Sequence, residues 1–240
     1  MANYKTRGII IKRTNFFEAD RLLVIFTEKF GKVRAIAKGV RKPLSKLAGS
    51  IELFCLTDFL IAEGRNLDIV TGAEIEKCFF NLRNHLDTTT TAYYIAEIID
   101  QMTAENQAHP RIFNLLIEVL ENINESQSDL MLPYFEFNFL SDIGYKPELE
   151  KCVECRKLIN KDLYFSFENG GLVCANCRGL DIKISTNTIK ALRLILSSQL
   201  SKVKRIKKDK NLLKELENLG KSSLEQLHQK EFKSRRFLKP

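Results

Sequence analysis

Residues 21–37, RLLVIFTEKFGKVRAIA, place two short apolar runs on either side of Glu28-Lys29-Phe30-Gly31-Lys32. Both runs are rich in β-branched and aromatic side chains, and the break between them holds a glycine able to take the positive φ of a tight turn. The stretch predicts a hairpin joining strands over Arg21 to Thr27 and Val33 to Ala37. Outward from it, strand-like runs cover Thr6 to Lys12, Ile51 to Ile61 and Leu67 to Thr71, punctuated by Gly39, Gly49 and Gly64. Five short strands between residues 6 and 75 imply a small barrel or sandwich.

From about Asn81 the apolar period lengthens from 2 towards 3.6. Tyr94, Ile98 and Met102 mark a first helix, Ile112, Leu116, Leu120 and Ile123 a second, and Leu132, Phe135 and Phe139 a third. Pro110 and Pro133 suit first-turn positions, where a missing amide hydrogen costs nothing, and loops are expected near 105–109 and 125–129. The run Tyr134-Phe135-Glu136-Phe137-Asn138-Phe139 reads as the buried face of a central helix, with a peptide groove as the lesser reading. Helical period returns at Ile189, Leu192, Ile195 and Leu196, with Ser185 or Thr186 as its cap. Asp209 caps a last helix that buries Leu212, Leu213, Leu216, Leu219, Leu224 and Leu227, and Gly220 within it costs about 1 kcal/mol relative to alanine. A frayed basic tail, Lys230 to Pro240, follows.

Between these helices stand Cys152-x2-Cys155 and Cys174-x2-Cys177, 18 residues apart. That spacing is expected of two knuckles sharing one zinc ion. A hairpin of Leu163 to Phe167 and Leu172 to Val173, turned at Asn169-Gly170-Gly171, brings the pairs together. Four thiolates fill a tetrahedral shell and leave no position for water, so one structural zinc is expected and zinc catalysis is not. The alternatives are two disulfides, disfavoured in a chain lacking a secretion signal, or a redox pair. Cys55 and Cys78 sit in apolar stretches without a partner motif and read as core residues.

Apolar residues at 44% and charged residues at 28% describe a globular chain. Its net charge of +8 is segregated. Residues 1–80 carry 14 basic against 9 acidic side chains, residues 81–150 carry 3 against 12, and residues 151–240 carry 21 against 9. Two basic ends flanking an acidic middle favour contact of the ends with a polyanion; a solvated surface is the bland alternative. The first cluster is Lys32, Arg34, Lys38, Arg41, Lys42 and Lys46. The second is Lys202, Lys204, Arg205, Lys207, Lys208 and Lys210, followed by Lys233, Arg235, Arg236 and Lys239. Phe16, Phe17, Phe30 and Phe54 are aromatics that either stack on bases or fill the core of the small barrel.

Met1 to Arg13 offers only Gly8 to Ile11 as an uncharged apolar run, shorter than the ~7–15 residues of a secretory signal. Leu53 to Ala62 and Ile112 to Leu120 are broken by Asp58 and Glu118 and fall short of the ~20 residues of a membrane helix. The reading is cytoplasmic. His85, His109 and His228 are scattered, outside any metal or nucleophile pattern. Leu219-Gly220-Lys221-Ser222 is similar to the end of a phosphate-binding loop, but the motif needs glycine where Glu215 stands. No catalytic centre is expected.

Several segments occur in a characteristic order: Gly8-Ile-Ile-Ile-Lys-Arg, Glu18-Ala-Asp-Arg-Leu, Thr27-Glu-Lys-Phe-Gly-Lys, Ala37-Lys-Gly-Val-Arg-Lys, Gly49-Ser-Ile-Glu-Leu-Phe, Gly144-Tyr, and the two cysteine pairs around Gly170-Gly171. In this order the chain resembles the RecO family of bacterial recombination mediators over nearly its whole length. The resemblance implies an α+β protein: a five-stranded OB-fold barrel at 1–80, then a helical domain at 81–240 carrying a zinc-binding insert at about 146–180 and a basic C-terminal tail. It also implies binding of single- and double-stranded DNA, annealing of complementary strands, a RecR-like partner, work on DNA coated by single-strand binding protein, help in loading RecA recombinase, and association with the bacterial nucleoid. Lys38, Arg41, Lys42 and Lys46 become candidate DNA contacts. Arg156, where many zinc knuckles place glycine, departs from the usual knuckle but leaves all four ligands. The competing class is a protein-interaction adaptor whose basic ends aid solubility; a metal nuclease would need a carboxylate cluster that is not found.

Overall fold

The hairpin at residues 21–37 forms in the computed structural model, which describes residues 2–83, 85–123 and 128–238. β2 (Asp20–Thr27) pairs antiparallel with β3 (Gly31–Ala37), Arg21 opposite Ala37 and Thr27 opposite Gly31. Gly31 takes φ 68°, and a Cβ there would lie 1.8 Å from the Gln107 carbonyl oxygen, so both the turn and the close approach require glycine. With β1 (Asn3–Phe16), β4 (Cys55–Ala62) and β5 (Asp68–Cys78), the strands hydrogen-bond in the order β1-β2-β3-β5-β4, and β1 also pairs with β4. Each of the five thus has two neighbours. The β3–β5 pairing is parallel and brief, Ala35 to Asp68 and Ile36 to Ile69. Ile10, Leu23, Ile25, Phe59, Ile61 and Val70 fill the interior.

The strand boundaries differ from expectation. β1 overruns Thr6–Lys12 at both ends, and β4 starts only at Cys55, after a 3-10 turn at Ala48–Ser50 and a positive φ of 57° at Phe54. β5 runs well beyond Thr71 to Cys78, carrying exposed Glu74, Glu76 and Lys77 on a strand whose register shifts twice against β4. That register sets Cys55 directly opposite Cys78, with Cα atoms 4.2 Å apart and the two sulfurs bonded as a disulfide. The reading of both as free core cysteines is corrected, although Cys55 is indeed buried.

The chain divides into two units, Met1–Asn124 with Phe232–Pro240, and Glu125–Glu231. The first joins the five strands to α1 (Leu86–Met102) and α2 (Pro110–Asn122). Pro110 opens α2 as expected. The second contains α3 (Ser128–Asp142), a sheet ordered β7-β6-β8 from β6 (Tyr164–Ser166), β7 (Gly171–Val173) and β8 (Ile182–Lys183), then α4 (Thr186–Ser197), α5 (Leu200–Val203) and α6 (Lys210–His228). Part of the loop expected at 125–129 lies outside the described residues, and Ser128 and Asp129 open α3. Pro133 sits inside that helix, not in its first turn. Among the described residues, no helix is long and apolar enough to cross a membrane.

α3 is buried on every side across Tyr134 to Phe137, so it is a core helix and not an amphipathic one. α6 packs on it through Gly220, where a Cβ would meet the Glu136 carboxylate oxygen at 2.0 Å. The small loss of helix propensity at Gly220 therefore leaves room for the Glu136 side chain between the two helices. Ser185 caps α4 by accepting from the Thr188 amide at 3.2 Å, and Asp209 caps α6 by accepting from the Leu212 amide at 2.8 Å.

Candidate metal centre and nucleic-acid interface

In the second unit the sulfurs of Cys152, Cys155, Cys174 and Cys177 all lie within 4.8 Å of one another. Cys155 and Cys174 stand 3.9 Å apart. A tetrahedral thiolate shell with bonds near 2.3 Å needs sulfur separations of about 3.8 Å, so the cluster fits one metal ion. The scaffold is the expected hairpin, Tyr164 opposite Val173 and Ser166 opposite Gly171, with β8 added along β6. The Val153 amide donates to the Leu172 carbonyl at 2.8 Å, tying the first knuckle to β7. The Arg178 guanidinium, 4.7 Å from the Tyr164 ring centre, ties the second to β6. Arg156 takes φ 62° while its amide donates to the Cys152 carbonyl at 2.9 Å. The knuckle thus keeps the glycine conformation with arginine in place, at a strain of about 1 kcal/mol or more.

The four thiols have unequal electrostatics. Burial opposes ionisation of Cys152, but the amides of Cys155, Cys174 and Glu154 outweigh it and hold this thiol down to about 6. Hydrogen bonds with Cys174 and Cys155 push Cys177 up to about 12. The cluster as a whole releases protons when a cation enters, because thiolates are the ligating form. Among the described residues, no other group of three or more His, Cys, Asp or Glu side chains is arranged to hold a metal.

The basic positions of the first unit separate into distinct kinds. Lys32 departs from its reading as a DNA contact: it is buried, donates to the Asp100 carbonyl and lies 3.6 Å from the Asp100 carboxylate. Arg34 is half exposed and pairs with Glu105 at 2.6 Å. Lys38, Arg41, Lys42 and Lys46 are exposed on the segment leaving β3. Arg41 Nη1 donates to the Glu18 carbonyl at 3.0 Å, and the Gly39 amide donates to Asp20 Oδ1 at 2.7 Å, fastening this segment to the β1–β2 turn. Of the aromatics, Phe54 is buried against Tyr93, Phe30 lies 4.5 Å from the Tyr4 ring, and Phe17 is 79% exposed.

In the second unit, Lys202, Arg205 and Lys207 are exposed, Lys204 is half-buried, and Lys208 lies 3.9 Å from the Asp129 carboxylate. Lys202 lies in α5, and the others follow it and precede the Asp209 cap.

The tail is not frayed across its described residues. Lys233–Phe237 form a 3-10 helix in the first unit, anchored by buried Phe232 and by Arg235, which donates to the Tyr94 hydroxyl at 3.0 Å. Lys239 lies outside the described residues. The Lys233 and Ser234 amides donate to the Glu97 carboxylate at 2.9 and 2.7 Å. Burial pushes the Glu97 carboxyl up, but the Ser234 hydroxyl and these amides outweigh it and hold it below the usual carboxylate range. A carboxylate whose folded pKa is depressed stabilises docking above its unfolded pKa and loses that contribution as pH falls through the folded value. Acidification below about pH 4, or Glu97→Ala at neutral pH, should release the segment. Trypsin cleavage after Lys233, Arg235 and Arg236 is expected to accelerate about tenfold or more in the variant, since hydrogen bonds to charged groups contribute ~1.5–3 kcal/mol each; an unchanged rate would refute this anchor.

Two sequence families match. The one described as Recombination protein O N terminal covers residues 1–79, and the one described as Recombination protein O C terminal covers residues 83–236. A protein from Dehalococcoides mccartyi named DNA repair protein RecO is 39% identical over 236 residues, 97% of this chain and 93% of its own. Proteins of the same name from Alkaliphilus metalliredigens and Acetivibrio thermocellus are 35% and 32% identical, covering 85% and 99% of this chain and 85% and 97% of their own lengths.

Proposed function

The chain belongs to the RecO family of DNA repair proteins, and from that membership we propose that it is a non-enzymatic recombination mediator that binds single- and double-stranded DNA and anneals complementary strands. The observation carrying this reading is the exposed segment of Lys38, Arg41, Lys42 and Lys46 at the exit of β3. The cyclic order β1-β2-β3-β5-β4 with one short parallel contact is the connectivity expected of an OB-type barrel. Such barrels bind oligonucleotides on the strand 2–3 face and through the β1–β2 and β4–β5 loops. We take residues 1–80 as the nucleic-acid-binding domain and 81–240 as the helical domain.

Annealing needs no bond chemistry. Two DNA strands repel through their phosphates, and cations held on a rigid frame lower that repulsion so that bases can pair. Lys38, Lys42 and Lys46 would supply such cations, with Lys202, Lys204, Arg205 and Lys207 as a second set and Arg34 and Lys208 partly neutralised by their carboxylate neighbours. The metal held by Cys152, Cys155, Cys174 and Cys177 is zinc on this reading, since four thiolates in a closed tetrahedral shell suit that ion; it would cross-link the two knuckles and leave no open position. A RecR-like partner, single-strand binding protein and RecA recombinase complete the pathway in the bacterial cytoplasm.

The test is an anisotropy titration of labelled single- and double-stranded DNA across a salt series, with zinc measured in the same preparation. Steep salt dependence, little sequence preference and about one zinc per chain are expected. Absence of DNA binding at low salt would replace the mediator with an adaptor that docks proteins only.

A further inference from the structure

Phe17 stands at the tip of the β1–β2 turn with φ 47° and 79% of its surface exposed. A bulky aromatic in the left-handed region is an outlier that persists only where its surroundings impose it. Here they do. The Arg41 main-chain amide donates to the Ala19 carbonyl at 2.9 Å, its guanidinium donates to the Glu18 carbonyl at 3.0 Å, and the Asp20 carboxylate accepts from the Gly39 amide at 2.7 Å. Phe16 backs Phe17 edge-on, ring centres 4.3 Å apart. The turn that carries the ring is therefore fixed, and the ring lines one surface depression together with Lys38, Gly39 and Lys42.

We propose that Phe17 is a stacking platform for one base of single-stranded DNA, with Lys38 and Lys42 holding the flanking phosphates. The proposal rests on the DNA-binding reading above and adds to it a residue that discriminates between strand forms. In a duplex each base is already stacked and paired, so its face is not offered to Phe17; in a single strand it is. The carboxylates of Glu18 and Asp20 border the same depression. Both carboxylates offset the charge of Lys38 and Lys42 within the depression, which makes base stacking the feature that selects the ligand. Arg41 is on this view a positioning residue, since its guanidinium holds the turn that carries the ring.

The experiment compares wild type, Phe17→Gly and Phe17→Trp on three labelled probes of equal length: oligo-dT, an abasic single strand and a duplex. Glycine accepts the positive φ, so the first variant removes the ring and relieves the backbone. Because base–aromatic stacking is sequence-tolerant and substantial, Phe17→Gly should weaken oligo-dT binding by about 5- to 100-fold. Its affinity for the abasic strand and the duplex should stay within about twofold, and Phe17→Trp should restore oligo-dT binding. Unchanged oligo-dT binding by Phe17→Gly, or equal losses on all three probes, overturns the platform while leaving the mediator reading intact. A wild-type protein that binds none of the three overturns the mediator reading, and the platform falls with it.

Discussion

If the four cysteines hold a structural metal as proposed, chelating it, or removing one candidate ligand by Cys152→Ser, is expected to melt the region from about residue 148 to residue 184 while the five-stranded sheet of the other unit stays folded. The reason is the smallness of the structure held there. β6 and β7 have three residues each and β8 has two. Hairpins of that length are marginal in water without further support. Leu149, Ile159, Leu163, Phe165, Leu172, Val173 and Ile184 are buried, but they hang on strands this short and on loops, so a metal bound at the four cysteines would supply much of the cooperativity. Structural zinc in small domains contributes about 10–16 kcal/mol of apparent binding free energy, which becomes folding free energy when the site does not exist in the unfolded chain. Hydrogen exchange of the Leu172 and Val173 amides should rise by several orders of magnitude in Cys152→Ser, with metal content falling below one per chain. If those amides stay protected in a metal-free preparation, the hairpin is self-supporting and the cluster needs another explanation.

Much of this metal site was legible because it is local. Two Cys-x2-Cys pairs and a glycine-containing turn specify a hairpin and four converging sulfurs without reference to the rest of the chain. The same holds for the Gly31 hairpin and for the caps at Ser185 and Asp209, each set by residues within a few positions of one another. What sequence reading missed depends on partners far away. Lys32 reads as one of a row of strand cations, yet it is covered by the end of α1, where Asp100 takes its charge, and by the following loop, where Glu105 bridges to it. The Cys55–Cys78 bond depends on the register of β4 against β5, and two irregularities in that pairing make the register unreadable from alternation alone. Glu97 captures the C-terminal segment across 136 residues of chain. Gly220 shows the reverse error: a residue counted as a local defect is the one that lets Glu136 and α6 meet. Phe17 is one of four candidate aromatics, and what separates it is exposure: Phe54 is buried against Tyr93, Phe30 packs on Tyr4, and Phe16 is half-buried behind Phe17.

Reversing the three lysines that leave β3, in the variant Lys38→Glu, Lys42→Glu, Lys46→Glu, is expected to abolish most DNA affinity without disturbing the fold. All three side chains are exposed, and surface substitutions away from special features change stability by about 0.5 kcal/mol or less. Arg41 is left in place because its guanidinium holds the β1–β2 turn, and reversing it would confound lost charge with lost geometry. Each lysine that neutralises a phosphate releases a condensed counterion. Three such contacts on a single strand lower the slope of log affinity against log salt by about 2, from a per-contact value of ~0.7. At low salt the variant should bind at least ~100-fold more weakly, with annealing slowed in proportion, and the two curves should converge as salt rises. A parallel variant of Lys202, Lys204, Arg205 and Lys207 apportions the remaining slope to the second unit. If the lysine variant keeps the wild-type slope, phosphates are held elsewhere and the segment after β3 is a solvated loop; if the slope falls while the melting temperature stays constant, these lysines form the interface.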